Sequence, residues 1–434
     1  MSFEKADNSK LREIAEEKDE PIMDLILKEL KALSEERGIK TTLLASCPNS
    51  EAVLQASLRA AKRANAPIEF VATLNQVDID GGYTGWTPKV LVSKIREEAK
   101  SINFRGPIIV AVDHGGPWLK DIQTIENWPL EKCMNWIENS FKKAVEAGYD
   151  VIHVDPTVDR TIPEGKIISI VVVVKRTLEL IKHTEDFRRK DGYPKISYEV
   201  GTEEVHGGLA DMNAFKEFLK LLKEGLKKEG LEDVWPRFIV GKVGTDLHTT
   251  LFDKVVASKL VREAAKFESF IKGHYTDYVD NPEDYPEAGM GGANIGPEFT
   301  EMEYLELKRL DEIERKLFKE GKISSLSKFI ETITNAVIKS DRWRKWLKGD
   351  EKGKNFEDLK KGRKEWLIKT GCRYVWTVPE VLISREGLYE NLSKNGIDAK
   401  TAVLLNIERS MDRYFNAFNL VDINDILLNY LTQN

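Results

Sequence analysis

The sequence is short of several things, and each shortage excludes something. Cysteine occurs only three times in 434 residues, at Cys47, Cys133 and Cys372. An odd, sparse set of thiols excludes a disulfide scaffold and fits a reducing cytosol. Long hydrophobic runs are missing. The longest, IISIVVVV at 167–174, carries Ser169 inside it and reaches less than half a membrane span. The opening MSFEKADNSKLREIAEEKDE is charged throughout, with no apolar stretch of the kind a secretory leader uses. The expectation is a soluble, cytoplasmic chain with no membrane partner. An excess of basic charge is also lacking. The 66 Lys+Arg against 72 Asp+Glu leave −6, with no basic patch, which argues against a nucleic-acid partner. Neither a GxGxxG after a strand nor a GxxxxGKS/T occurs, so no NAD site and no P-loop is expected. Glutamine appears four times while Lys and Glu abound, a balance that points to a heat-adapted source.

What is present is ample core material, 41% apolar and 9% aromatic. After an opening helical pattern that Gly38 stops, short β-branched runs alternate with amphipathic stretches. Strands are predicted at 41–46, 68–73, 108–112, 151–155, 196–200, 238–242, 270–273 and 293–296, the last being the weakest. Helices are predicted at 51–65, 89–102, 130–147, 167–188, 212–228 and 253–267. Alternation of this kind means βαβ units and a parallel sheet. Regular spacing favours closure into an α/β TIM (β/α)8 barrel over a doubly wound open sheet. The expected organisation is an N-terminal helical segment at 1–38, the barrel at 39–322 and a C-terminal helical cap at 323–434. Trp343, Trp346 and Trp376 read as anchors between cap and barrel.

The reactive side chains fall just after the predicted strands, where a TIM barrel builds its active site. They include Asn75 and Gln76, Asp113 and His114, Asp155, Glu199 and Glu203, Asp246 and His248, His274 and Asp277, and Asn294. His114, His248 and His274 come from three different strand ends, so a barrel would gather them in space, not in sequence. Three imidazoles with open positions for substrate oxygens suit a catalytic divalent ion, with Glu203 able to add a fourth ligand.

Several of these segments resemble one family. Asn75-Gln76-Val77, Gly81-Gly82-Tyr83-Thr84-Gly85, Asp113-His114 with Gly116-Pro117, and His153-Val154-Asp155 are similar to motifs of the tagatose-bisphosphate aldolase class II non-catalytic subunits. So are Gly201-Thr202-Glu203, His274-Tyr275-Thr276-Asp277-Tyr278, and Arg373-Tyr374 with Trp376. The stretches 156–159, 242–248, 281–292 and 369–372 depart from the family pattern. The resemblance implies a class II aldolase-like barrel whose divalent metal is held by His114, His248 and His274. Zn²⁺ heads the expected ions, with Mn²⁺, Ni²⁺ or Co²⁺ as alternatives. Relatives of this kind are described either as partners of a catalytic aldolase chain or as 4-epimerases of tagatose or its 6-phosphate.

The reading preferred at this point is a ketohexose 4-epimerase acting on a sugar or sugar phosphate, tagatose and fructose or their 6-phosphates. The C4 proton of a 2-ketose is not adjacent to the carbonyl, so cleavage and re-formation of C3–C4 is the accessible route. A carboxylate must take and return the O4 proton, with Asp113 first and Asp155 or Glu203 as alternatives. Asn75, Gln76, Asp277 and Asn294 would bind sugar hydroxyls, and Lys242 would meet a phosphate. Few basic residues fall on the predicted rim, which leans towards an unphosphorylated sugar. The alternatives are an accessory subunit of a tagatose-1,6-bisphosphate aldolase and a stand-alone class II aldolase. A homo-oligomer and a catalytic aldolase partner chain are both open.

Overall fold

Runs of apolar residues buried on both faces form strands β1 Leu43–Ser46, β2 Ile68–Thr73, β3 Ile108–Gly115, β4 Val151–Val154, β5 Ser197–Val200, β6 Phe238–Gly241, β7 Phe270–Gly273 and β8 Gly292–Ile295. The computed structural model describes residues 5–7, 9–163, 168–201, 210–246 and 248–433. Each strand pairs in parallel with the next, and β8 returns to β1 with Leu43 opposite Gly292 and Ala45 opposite Asn294. The sheet is a closed barrel of TIM type. The segment with the faintest strand signal, Gly292–Ile295, is the one that closes it. Among the described residues, no helix is long and apolar enough to cross a membrane.

Helices separate the strands, and their starts are fixed chemically. Ser50, Thr87 and Asp253 each accept a backbone N–H from the first turn, of Val53, Val90 and Val256. The opening helical pattern is two helices, Lys10–Glu17 and Ile22–Arg37, separated around Pro21. The first of them ties to the N-terminal ends of the strands through Arg12. That guanidinium donates to Asp7 at 2.8 and 3.0 Å, to Asp150 at 2.8 Å and to the Ile108 carbonyl at 2.7 Å.

The C-terminal region does more than cap. Helix Phe329–Ser340, the turns after it and helix Lys361–Gly371 carry a small core of their own around Trp343, Leu347, Phe356, Leu359 and Leu367. Residues of this part overhang the C-terminal ends of the strands. The chain then runs back along the barrel. Helix Ala399–Ala417 lies against helix Glu51–Ala64, with Arg59 and Arg63 paired to Glu408 and Arg63 also to Asp412. Beyond it, the Asp422 and Asn424 N–H groups donate to the carbonyls of Ala64 and Asn65. The cap is therefore also a strap between the two ends of the barrel. Trp376 fits its expected role as an anchor, donating to Thr300 Oγ1 at 2.9 Å.

Candidate active site

The barrel interior is charged where such interiors are normally packed with aliphatic side chains. Lys272 on β7 is fully buried and donates to Glu69 of β2 at 2.8 Å and to Glu199 of β5 at 2.9 Å. Burial disfavours its charge, but the two carboxylates outweigh that and hold it as an ammonium. Glu199 is kept below the ordinary carboxylate range, chiefly by Lys272 and His153 against its burial. Burial lifts Glu69 to about 7, against the pull of Lys272. A lysine so firmly paired is no amine nucleophile.

Above this layer the histidines meet. A register shift between Val112 and Gly115 puts a bulge into β3, and His114 there has a φ of 49°. That backbone costs an L-residue about 1–2 kcal/mol, and it accompanies a ring turned towards the barrel axis. The close crossing of β3 over β4 demands glycine at 116, because a Cβ there would lie 1.7 Å from the Asp155 carbonyl oxygen. His114 Nε2 faces His274 Nδ1 at 3.1 Å. Behind each ring stands a carboxylate: Asp155 Oδ2 lies 2.7 Å from His114 Nδ1, and Glu199 Oε1 lies 2.9 Å from His274 Nε2. Asp113 Oδ1 sits among the imidazoles, 3.2 Å from His153 Nδ1, 3.7 Å from His114 Nε2 and 4.0 Å from His274 Nδ1.

The electrostatics of this cluster favour positive charge. Burial opposes a proton on His114, yet Asp113 and Asp155 outweigh it and lift the imidazole to about 9. His274 moves the other way, lowered by burial and by His114. Asp113 is held far below the usual carboxylate range, its burial overridden by His114 and His274. One pair of facing ring nitrogens, each anchored from behind by a carboxylate, is how proteins orient metal-binding imidazoles. Two sets of side chains have ligand atoms close enough together to hold an ion, Asp113–His153–Glu199–His274 and His114–His153–Asp155. Imidazole nitrogens with carboxylate oxygens suit a divalent cation of the first transition row. The donor set fits.

The expected site residues divide. Asp113, His114, Asp155 and His274 come together, and Asn294 joins them with Nδ2 3.4 Å from Asp113 Oδ1 and a buried Oδ1 that has no partner. Asn75, Gln76 and Asp277 line the same cavity, with the side-chain N and O of Asn75 and Gln76 and the Oδ1 of Asp277 engaged. Asn75 bridges Leu119 and Asp121, while Gln76 joins Thr73 to Asn49. Asp277 accepts the Gly296 and Glu298 N–H groups at 3.0 and 2.7 Å, at the start of helix Pro297–Lys319. His248 is carried away from the cluster. A tight turn pairs Asp246 with Thr249, the Asp246 carboxylate takes the His248 N–H at 2.5 Å, and the exposed ring lies 5.0 Å from that of Trp366. The imidazole that lies beside His114 and His274 is that of His153 on β4, with ring centres 5.1 and 5.4 Å away. Lys242 lies outside the cavity lining, and Glu203 falls outside the described residues.

His153 and Glu199 are paired across β4 and β5; from the sequence Glu199 is expected at a strand end without an assigned role, and His153 only as part of a motif. A signal existed. Ionisable residues inside otherwise apolar parallel strands (Glu69, His153, Glu199, Lys272) mark an axis that carries chemistry. The cavity above them encloses about 840 Å³, enough for a small sugar derivative. Its wall also corrects the expectation of a rim poor in basic residues. Arg160, Arg342, Lys345 and Arg373 all line it, three of them brought in by the C-terminal region.

Comparison with known proteins agrees with this architecture. A family model described as D-tagatose-1,6-bisphosphate aldolase subunit GatZ/KbaZ-like matches residues 27–413. A crystal structure of a probable tagatose 6 phosphate kinase from Sinorhizobium meliloti 1021 superposes with a TM-score of 0.71 at 21% identity, covering 87% of this chain and 100% of that one. A fructose-bisphosphate aldolase from Campylobacter jejuni gives 0.53 at 12% identity over 92% and 95% of the two chains. At these identities the structures speak for the fold.

Proposed function

The chain belongs to the D-tagatose-1,6-bisphosphate aldolase subunit GatZ/KbaZ-like family, and from that premise we propose that it is a class II aldolase-type subunit that breaks or makes a carbon–carbon bond of a ketose. The observation that carries this reading is the His114–His274 pair at 3.1 Å, backed by Asp155 and Glu199 and flanked by Asp113. His114 Nε2 and His274 Nδ1 are the atoms that would hold a divalent ion, with Zn²⁺ first and Mn²⁺, Ni²⁺ or Co²⁺ as alternatives. Such an ion, when bound, supplies Lewis-acid stabilisation of the negative charge that C–C cleavage leaves on the ketose fragment.

The remaining tasks fall to the chain. Asp155 has both oxygens occupied, by His114 and by Thr157 Oγ1 at 2.5 Å, so it positions the ring and is not a proton carrier. Asp113 lies inside the cluster, 3.7 Å from His114 Nε2 and 4.0 Å from His274 Nδ1, and this position is what assigns it the proton of the O4 hydroxyl, taken as C3–C4 opens and returned on re-addition. Asn294 Oδ1, buried and unpartnered, is suited to accept from a sugar hydroxyl. The family's description as a subunit supports a partner aldolase chain.

A second reading, C4 epimerisation, needs the same groups. Cleavage is followed by rotation of the aldehyde fragment and re-addition to its other face. The wall that Arg342, Trp346 and Tyr374 add to the cavity favours it, because added walls help to retain the fragment. The test is to load the purified chain with Zn²⁺, Mn²⁺ or Ni²⁺ and offer tagatose 1,6-bisphosphate, tagatose, fructose and their 6-phosphates. Triose products support the aldolase, and a C4 epimer without triose supports the epimerase. Turnover that requires an added aldolase chain supports the accessory role. Metal binding unchanged in both His114→Ala and His274→Ala would sink the site itself.

A further inference from the structure

The buried charge on the barrel axis has a task that packing does not explain. Lys272 lies on β7 and His274 just past its end, two residues apart, so both side chains turn to the axis in successive layers. Glu199, reaching in from β5, touches both. Its Oε2 takes the Lys272 ammonium at 2.9 Å, and its Oε1 lies 2.9 Å from His274 Nε2. The lysine is held on its other sides as well. Glu69 Oε1 lies 2.8 Å from Nζ, and the Phe238 ring centre 5.0 Å from it. Glycine at 292 leaves room for the lysine stem, because a Cβ there would lie 3.3 Å from Lys272 Cγ and 3.2 Å from Phe238 Cζ.

A buried ion pair stabilises a fold no better than a well-packed apolar layer of similar volume. What this one supplies is direction. A carboxylate only accepts, so Glu199 draws the proton of His274 to Nε2 and leaves the Nδ1 lone pair facing His114 Nε2 at 3.1 Å. Asn294 Nδ2, 3.2 Å from the same Nε2, is a donor and would favour the opposite choice. With its second oxygen tied to Lys272, Glu199 is kept from turning away from the ring. We propose that Lys272 is a positioning residue for the histidine pair: through Glu199 it fixes the His274 ring with Nδ1 towards His114, and so sets how tightly the pair takes a divalent ion. The inference rests on the reading that this pair is the metal site. Glu69 serves the lysine and not the ring, and its second oxygen is buried without a partner. Its charge is therefore dispensable as long as Lys272 stays.

The full chain, stripped of metal with a chelator, is titrated with Zn²⁺ and with Co²⁺ by calorimetry and by the visible absorption of bound Co²⁺, and its melting temperature is recorded. Proton NMR of the metal-free chain is scanned for the downfield resonance of the His274 Nε2–H held by Glu199, identified by its loss in His274→Ala. Lys272→Met should bind both ions at least about tenfold more weakly, shift the Co²⁺ band and lose the resonance. The double variant Lys272→Met/Glu69→Gln removes one buried charge of each sign, so it should melt near the wild type and show the same losses. Glu69→Gln alone should bind as the wild type does and keep the resonance. Wild-type affinity in either lysine variant, with the resonance in place, overturns the proposal. So does an equal loss in Glu69→Gln, or a failure of both lysine variants to fold, because either makes the layer a packing feature. If the wild type itself binds neither ion, the histidine site is overturned and the proposal with it. Wild-type binding that Lys272→Met leaves intact overturns the proposal alone.

Discussion

Two buried arginines mark the two ends of the barrel, and they are used differently. At the N-terminal end Arg12, 5% exposed, fills its donors with Asp7, Asp150 and the Ile108 carbonyl. At the C-terminal end Arg373, 6% exposed, donates to Tyr374 and leaves Nη1 without an acceptor. The first arrangement ties an N-terminal helix, β3 and the start of β4 into one body. The second leaves interaction energy unspent inside a cavity. TIM barrels divide labour in this way, stability at one end and chemistry at the other. The contrast shows that burial alone does not separate structural from functional charge; the completeness of hydrogen bonding does.

The comparison can be broken most sharply by treating both ends alike. Arg12→Met leaves Asp7 and Asp150 as buried carboxylates held by backbone N–H groups, with Lys5 near Asp150 at 3.1 Å as the remaining cation among the described residues. It should destabilise the fold by about 3–5 kcal/mol in denaturant unfolding, whereas Arg373→Met should lose no more than about 1 kcal/mol. Equal losses would erase the distinction. Between the two ends lies the histidine cluster, where positioning should affect binding more than stability. Asp155→Asn should weaken divalent-ion affinity by about 10–100-fold in a metal titration, with little change in the unfolding midpoint.

A smaller effect concerns pH. Burial, reinforced by the Glu298 carboxylate, lifts Asp277 to about 7 in spite of the N–H groups of Glu298 and Gly296. Its ordinary value is 3.8. An acid raised in the folded state favours the fold below its unfolded pKa, and that contribution is lost as pH rises through the folded value. The contribution of Asp277 should therefore fall away between about pH 4 and pH 8, so Asp277→Asn should gain stability relative to the wild type as pH rises across that range in thermal melts. Smallest of all, Glu69→Gln keeps an oxygen for Lys272 and should shift stability by about 1 kcal/mol or less.

Much of the scaffold was legible in the sequence because short β-branched runs and amphipathic stretches have different periods. Strands Ile68–Thr73 and Phe270–Gly273 fall on their predicted limits, and even the faint Gly292–Ile295 proved to be a strand. Asp113, His114 and His274 could be placed near one another because strand ends converge in a barrel. Side-chain direction was not legible in the same way. A residue after a strand can point inward or outward, and the Asp246–Thr249 turn sends His248 outward to Trp366. Residues inside a strand alternate by rule, so His153 and Glu199 could have been assigned to the axis from their positions alone. The donors on the C-terminal wall had no such signal. They reach the cavity only because a region distant in sequence folds across the barrel mouth, and Trp346 was expected there as a packing anchor only.

The central claim is that the His114–His274 pair does metal-dependent carbon–carbon chemistry in this family member. It is tested most directly by following tagatose 1,6-bisphosphate and the hexose 6-phosphates with the metal-loaded chain, with and without a partner aldolase chain. The account predicts triose or C4-epimer formation that a chelator abolishes and that His114→Ala and His274→Ala both lose. Turnover that survives the chelator and both substitutions would contradict it.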